Sequence, residues 1–325
     1  MTIQANQSAS KDNSGDDAVY VSLASLLRCR LTAKDLNLSR QRKILSQQAG
    51  LHVSKFRGRG VDFSEVRAYQ QGDDIRSIDW RVTARTGKTH TKLYAEERER
   101  PAMVILDQSD SMFFGSRVAF KSVIAAQCAA LLAWATLIRG DRSGAIIFSD
   151  TQLRDIKPRR SRHAVLEFLE HIISFNHALN KQALSEHAAE KSISLTDSLQ
   201  HARRTIKPGS ELFIISDFQD FDHAAQRHLF QLSQHNDVVC VMIQDPMEVE
   251  LPAPSLYNIS DGQQQSQVDL GNNKLRSEYQ QAYQQHIDEL QRQFDQLKIP
   301  LLQISTEQEP LRALQMGLGI RSGRR

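Results

Sequence analysis

Three short segments carry oxygen-bearing side chains at spacings that suit a hard metal ion. The first is Asp107-Gln108-Ser109-Asp110-Ser111, which follows the apolar run Met103–Leu106. Side chains alternate along an extended backbone, so Asp107, Ser109 and Ser111 are expected to face one point. A carboxylate and two hydroxyls are hard ligands, suited to Mg²⁺ or Mn²⁺ rather than zinc. The second segment holds Thr196, in Ser194-Leu195-Thr196-Asp197, at the expected start of a helix. The third holds Asp217, directly after the apolar run Leu212–Ile215. A plainer alternative has Asp107 and Ser109 capping the following helix and Thr196 capping its own, as such residues commonly do.

The enzymatic alternative is a Mg²⁺-dependent phosphohydrolase of the haloacid-dehalogenase type. It would use Asp107 as nucleophile, with Asp217 and Asp220 at the metal. That class resembles Asp-x-Asp, whereas Ser109 stands here in the place of the second carboxylate, the general acid. Gly87-Lys88-Thr89 ends like a phosphate-binding loop, but Val82 occupies the position that needs glycine. Neither a G-x-S-x-G elbow nor an H-E-x-x-H pair is present. His163, His171 and His201 are scattered and are expected on the surface or in helix packing. Arg57-Gly58-Arg59-Gly60 is one short run with few aromatics for base stacking.

The set Asp107, Ser109, Ser111, Thr196 and Asp217 resembles the metal-ion-dependent adhesion site of von Willebrand factor A domains. The order of the parts is the same: an Asp-x-Ser-x-Ser loop, a distant Thr, and an Asp after a strand. The resemblance implies Ser109, Ser111 and Thr196 as direct ligands, with Asp107 and Asp217 acting mainly through water. It also implies an open coordination position for a partner's carboxylate. One departure is that Ser194-Leu195 precede Thr196, where that family usually has Gly-Gly.

A second resemblance lies upstream. The stretch Arg57-Gly58-Arg59-Gly60-Val61-Asp62-Phe63 is followed by Val66-Arg67-Ala68-Tyr69-Gln70-Gln71-Gly72-Asp73-Asp74. Ile75-Arg76-Ser77-Ile78-Asp79-Trp80-Arg81-Val82-Thr83-Ala84-Arg85 follows in turn. From about Leu51 onward the chain is similar to the bacterial domain-of-unknown-function 58 family, which joins such a segment to a von Willebrand A-like domain. Many members carry two N-terminal membrane helices; none is evident here, so a soluble variant is expected. The resemblance implies a MoxR-type AAA+ ATPase as partner, with other von Willebrand A-domain proteins as further partners, in the maturation or activation of other proteins. Within the segment, Gly72-Asp73-Asp74 reads as a turn, and Ile78–Arg81 as a short strand that buries Trp80 as an apolar anchor. Arg67, Arg76, Arg81 and Arg85 alternate with Asp73, Asp74 and Asp79. Such a pattern forms either an internal ion-pair network or a partner surface.

Composition sets the frame. The 325 residues are 40% hydrophobic and 24% charged, as in a soluble globular protein. The balance of 41 basic and 38 acidic residues argues against a nucleic-acid partner. Cys29, Cys128 and Cys240 are isolated and are expected to be reduced, mostly buried thiols. No uninterrupted apolar run reaches the ~18 residues of a membrane helix. Residues 1–17 are expected to be a disordered polar lead without a signal-peptide core, so a cytoplasmic location is expected.

Residues 18–48 are patterned as helix, and residues 18–99 as a helical and irregular segment punctuated by Gly58, Gly60, Gly72 and Gly87. From residue 100 to 319, strand and helix patterns alternate, including a long helix over Arg117–Ile138 and an edge hairpin at Gln152–Lys157. Leu251–Asn273, with Pro252, Pro254 and Gly262, reads as a surface excursion, and residues 320–325 as a loose basic tail. This alternation predicts an α/β doubly wound, mostly parallel sheet with helices on both faces. Such sheets place their sites beyond the carboxyl ends of the strands, which is where all three segments fall.

Overall fold

The computed structural model describes residues 16–36, 38, 57–71, 73–95, 100–179, 192–251, 255–260, 265–269 and 272–319. Most of the expected N-terminal lead, the latter half of the helical stretch over 18–48 and the tail at 320–325 lie outside the described residues. The chain forms two compact units: a smaller one over Ser46–Glu99, and a larger one from Met1–Leu45 together with Arg100–Arg325.

In the larger unit, helix α1 (Leu23–Ala33) starts at Ser22, whose side chain accepts the Ser25 N–H. The smaller unit is built on two antiparallel strands, β1 (Arg57–Ala68) and β2 (His90–Ala95), with Arg67 opposite Thr91. Gly58 and Gly60 therefore lie within a strand and not at turns. A 3₁₀ turn, Ile75–Ser77, and helix α2 (Trp80–Thr86) lie between the strands. This corrects the strand expected at Ile78–Arg81. The Asp79 carboxylate accepts the Arg81 and Val82 N–H groups and so starts a helix where alternation alone suggested a strand. Gly87 ends that helix with φ 69°, a left-handed conformation that glycine adopts without a side-chain clash. Trp80, at the first helical position, is 67% exposed and not a buried anchor.

The acids of this unit serve as backbone acceptors as much as ion partners. Asp73 pairs with Arg67 (2.7 Å) and also accepts the Gln70 N–H. Asp74 caps the 3₁₀ turn, and Asp79 lies 3.8 Å from Lys92. The internal network expected for this charge-dense stretch is thus present in part.

The larger unit contains a six-stranded sheet. Its strands are β3 (Ala102–Asp107), β4 (Ser143–Phe148), β5 (Leu153–Arg159), β6 (Glu211–Ser216), β7 (Asp237–Gln244) and, after a small β8–β9 hairpin (Leu256–Ser260 and Gln265–Asp269), β10 (Leu301–Ser305). The order is β10-β7-β6-β3-β4-β5, parallel throughout except for β5, which runs antiparallel to β4 at the edge. The sheet reverses its winding at β3, so a crevice opens beyond the carboxyl end of that strand. This is the doubly wound, von Willebrand A-like arrangement with helices on both faces. Within the excursion expected at 251–273, the described residues Leu256–Ser260 and Gln265–Asp269 pair as the β8–β9 hairpin.

Strand residues alternate between the two faces. Val104, Leu106, Ala145, Ile147, Phe213 and Ile215 pack with helix α3 (Lys121–Arg139), with α1, and with α4 (Arg162–Asn176). Met103, Ile105, Ile146, Leu212 and Ile214 pack on the other side with α5 (Leu195–Thr205), α6 (His223–Ser233) and α7 (Asn273–Leu297). A last helix, α8 (Pro310–Gly317), adds Leu314 to the α3 face. Helix α3 starts at Lys121, later than the expected Arg117, and ends at Gly140 with φ 90°. By length and composition α3 could cross a membrane, but 83% of its apolar window is buried inside this unit. Trp134 lies within it, and its indole N–H donates to the Leu26 carbonyl of α1 (3.2 Å). Gly144 sits where β5 bulges against β4. A Cβ there would meet Met103 Sδ at 2.7 Å and Ile156 O at 2.8 Å, so the site admits only glycine without movement. Cys128 and Cys240 are buried free thiols, and Cys29 is half-buried.

Because Trp80 is exposed, Trp80→Ala is expected to change unfolding free energy by no more than ~0.5 kcal/mol. Urea denaturation followed by circular dichroism measures this. A loss of several kcal/mol would place the ring in a packed interior.

Candidate metal centre

Asp107 is the last residue of β3 and is 4% exposed. The chain does not continue extended after it. Asp110–Met112 form a 3₁₀ turn, so Ser109 and Ser111 converge through a turn and not through strand alternation. Ser109 Oγ and Ser111 Oγ share a hydrogen bond of 3.1 Å. Asp107 Oδ1 accepts the Ser109 N–H (2.9 Å), and Oδ2 accepts the hydroxyl of Ser216 at the end of β6 (2.6 Å). These contacts remove the capping alternative for Asp107 and Ser109 with respect to the long helix: α3 begins after Phe120, with no side-chain cap. The Ser109 hydroxyl makes no cap bond to the 3₁₀ turn either.

Asp217 follows β6 and is 7% exposed. Phe218, the next residue, is buried with φ 56°, an uncommon value for a bulky side chain. Its N–H donates to Ser216 Oγ (3.1 Å), and its ring packs edge-on against Phe221 and Phe294. The sharp turn this creates sets Asp217 back toward the site. Asp107 and Asp217 sense each other: burial, and then the charge of Asp217, push the Asp107 carboxyl up to about 7, against hydrogen bonds from Ser216 and Ser109.

Thr196 lies in the first turn of α5. The N-cap there is Ser194, in a capping box with Asp197, so Thr196 is not the cap. Its hydroxyl donates to Asp222 Oδ1 (2.8 Å), the carboxylate that caps α6. Donation uses the proton and leaves the oxygen lone pairs available. No hydrogen bond joins Thr196 to the Asp107 loop among the described residues. Asp220 is exposed in the turn after Phe218.

Several residues of this edge carry no sequence motif. Asp150, after β4, accepts the Asp110 N–H (2.7 Å) on one oxygen and the Ser192 hydroxyl (3.2 Å) on the other, while its carbonyl accepts the Ile193 N–H (2.8 Å). It thereby ties the serine loop to the segment that leads into α5. Gln108 is fully buried. It donates to Ser122 O (3.0 Å) and accepts from Asn176 (3.1 Å), which in turn accepts the Val21 N–H (2.8 Å). Lys121, also fully buried, donates to Asp217 Oδ2 (2.9 Å) and to Glu248 Oε1 (2.6 Å). Burial opposes its charge, but the two carboxylates outweigh that and hold the ammonium above its ordinary value. A signal for Lys121 exists in the sequence. It is a lysine opening an otherwise apolar helix, at the end where the helix dipole disfavours a cation, so it calls for an acidic partner.

The donor set fits a hard divalent ion. It offers two buried carboxylates close enough to repel and a hydroxyl pair beside them, while the Thr196 hydroxyl is bonded to Asp222. Among the described residues no three His, Cys, Asp or Glu side chains gather at one point, so hydroxyls would have to complete the coordination.

Asp150→Ala removes both side-chain ties. It is expected to cost ~1–3 kcal/mol in stability and to speed amide exchange at Asp110. Unchanged exchange at Asp110 would show that the loop is held by other means.

The family model described as "Protein of unknown function DUF58" matches residues 65–289, a span that contains every residue of the candidate centre. Uncharacterized proteins of Mycobacterium bovis and Mycobacterium tuberculosis are 26% identical over 280 residues, 85% of this chain and 84% of theirs. Among solved structures, BatB from Bacteroides thetaiotaomicron aligns over 68% of this chain and 97% of its own, at 13% identity and TM-score 0.41. A von Willebrand factor type A protein from Catenulispora acidiphila aligns over 70% of this chain and 43% of its own, at 13% identity and TM-score 0.37. The family match covers well over half of the sequence, and the chain belongs to the DUF58 family of proteins of unknown function.

Proposed function

We propose that this protein is a metal-dependent protein-binding adaptor, not an enzyme, and that its partner is a MoxR-type AAA+ ATPase in the maturation or activation of other proteins. The observation that carries the reading is the convergence of buried Asp107 with the Ser109–Ser111 hydroxyl pair at the carboxyl edge of the sheet, with Asp217 beside them. Asp107, Ser109 and Ser111 would hold Mg²⁺ or Mn²⁺, with Asp217 and Thr196 as the remaining donors. A divalent ion held largely by neutral hydroxyls keeps Lewis acidity for one more oxygen ligand, such as a partner's Asp or Glu. Ser216 orients one oxygen of Asp107, and the Ser109 N–H orients the other. A phosphohydrolase reading finds less support. Ser109 stands where that chemistry needs a carboxylic acid and cannot serve as one. The ATPase partner, and other von Willebrand A-domain proteins as further partners, are supported by the family resemblance, and a cytoplasmic setting by the free thiols Cys29, Cys128 and Cys240.

Purified protein is expected to bind Mn²⁺ or Mg²⁺ in calorimetry, and Asp107→Ala to weaken that binding sharply while the fold persists. Equal binding by the two proteins would sink the metal assignment.

Partner binding is expected to need the metal. The affinity of the purified ATPase should fall on chelation, and equally on Ser109→Ala or Ser111→Ala, with Ca²⁺ a poor substitute because it prefers more ligands at longer distances. Unchanged affinity for chelated protein, with circular dichroism still native, would leave the ion a structural role only. Phosphatase turnover lost in Asp107→Asn would favour the enzymatic alternative.

A further inference from the structure

We propose that Lys121 is the built-in counter-cation of the metal centre: it holds Asp217 and Glu248 together when no metal is bound, and its fixed charge weakens divalent-ion binding beside it. The inference rests on the metal reading of the Asp107 site.

The Lys121 side chain has no exposed surface, and its ammonium lies 2.9 Å from Asp217 and 2.6 Å from Glu248. It stands at the first position of α3, where the exposed N–H groups already present positive charge. Nothing in packing asks for a lysine there, since the buried helix positions that follow are mostly apolar. The two acids also have backbone anchors of their own. Asp217 Oδ1 accepts the Gln219 N–H (3.3 Å), and Glu248 Oε2 accepts the Asp245 N–H (2.9 Å) in a capping box. Those anchors fix one oxygen of each acid, and Lys121 binds the other, so the ammonium balances two carboxylates that would otherwise repel across it. Asp217 is near enough to Asp107 for their charges to interact, so the ammonium acts on the same small region as a bound ion. Lys121 is a positioning and charge-setting residue, acting on the ion through Asp217.

The test measures Mn²⁺ affinity of the full chain by calorimetry and by the electron paramagnetic resonance signal of free Mn²⁺. Melting temperature is recorded with and without the ion. Lys121→Met keeps the length and removes the charge. Its Mn²⁺ affinity is expected to rise about tenfold, because a neighbouring positive charge has been removed from a partly buried site. The metal-free variant should melt lower than wild type, and Mn²⁺ should raise its melting temperature by more than it raises that of wild type. Glu248→Gln is expected to do the reverse and weaken Mn²⁺ binding several-fold. Should Lys121→Met fail to fold, the double variant Lys121→Met/Glu248→Gln is compared with Glu248→Gln alone, and the affinity must again rise. A lysine needed only for packing would lower stability without raising affinity. Wild-type binding with no gain in either comparison overturns this inference alone. No Mn²⁺ binding by any of the proteins overturns it together with the metal reading.

Discussion

One buried ammonium, fixed between two carboxylates, joins the parts of the carboxyl edge. Taking charges out of water is expensive, and an ion group in an interior persists only where its partners are close and well placed. Lys121 brings its charge from the start of α3, Asp217 from the end of β6, and Glu248 from the short Pro246–Val249 turn after β7. Moving either acid would leave the buried ammonium short of a partner. The start of the central helix is thus locked to two strand ends, and those same strand ends position Ser216 against Asp107. The geometry of the candidate centre follows from that constraint more than from the local preferences of the Asp107–Ser111 segment.

Polar ties carry the same logic around the edge. Asp245 is fully buried and accepts from Ser116 N–H (3.0 Å), Thr306 hydroxyl (2.7 Å) and Met247 N–H (3.0 Å). It secures the β7 end to the loop before α3 and to the turn after β10. Gln108 does so toward α4 and the N-terminal arm. A loop held from several sides by satisfied buried groups keeps a single arrangement. Pre-organisation of this kind suits a binding site whose partner contributes a single anchoring oxygen.

Much of this was legible from the residues, for an identifiable reason. Apolar runs that end in Asp107 and Asp217 are buried parallel strands, and such sheets present chemistry at their carboxyl ends. Asp107, Ser109, Ser111 and Asp217 could therefore be found without coordinates. Glu248 and Asp150 could not, nor could the partners that the lone Lys121 calls for, because these pairings join distant elements: Lys121 and Glu248 are 127 positions apart. Trp80 was misread because Ile78–Arg81 alternates like a strand, while a single side chain, Asp79, tips the segment into a helix. In β1, Gly58 and Gly60 look like turn residues, yet they fall within the strand, where the pairing with β2 shifts register between Arg57 and Asp62. The late start of α3 has no capping side chain to announce it.

Helix α3 also has a consequence for how the chain is made. Among the described helices it is the one long and apolar enough to cross a membrane, and it leaves the ribosome long before the strands β6 and β7 whose side chains cover it. At a synthesis rate of roughly 5–20 residues per second, the interval between Arg139 and Gln244 is on the order of 5–20 s. Through that interval α3 lacks the part of its cover that β6 and β7 supply. Helix α1, which precedes α3 in the chain, accepts the Trp134 indole N–H at Leu26 in the finished fold, so part of that cover is made before the helix it shields.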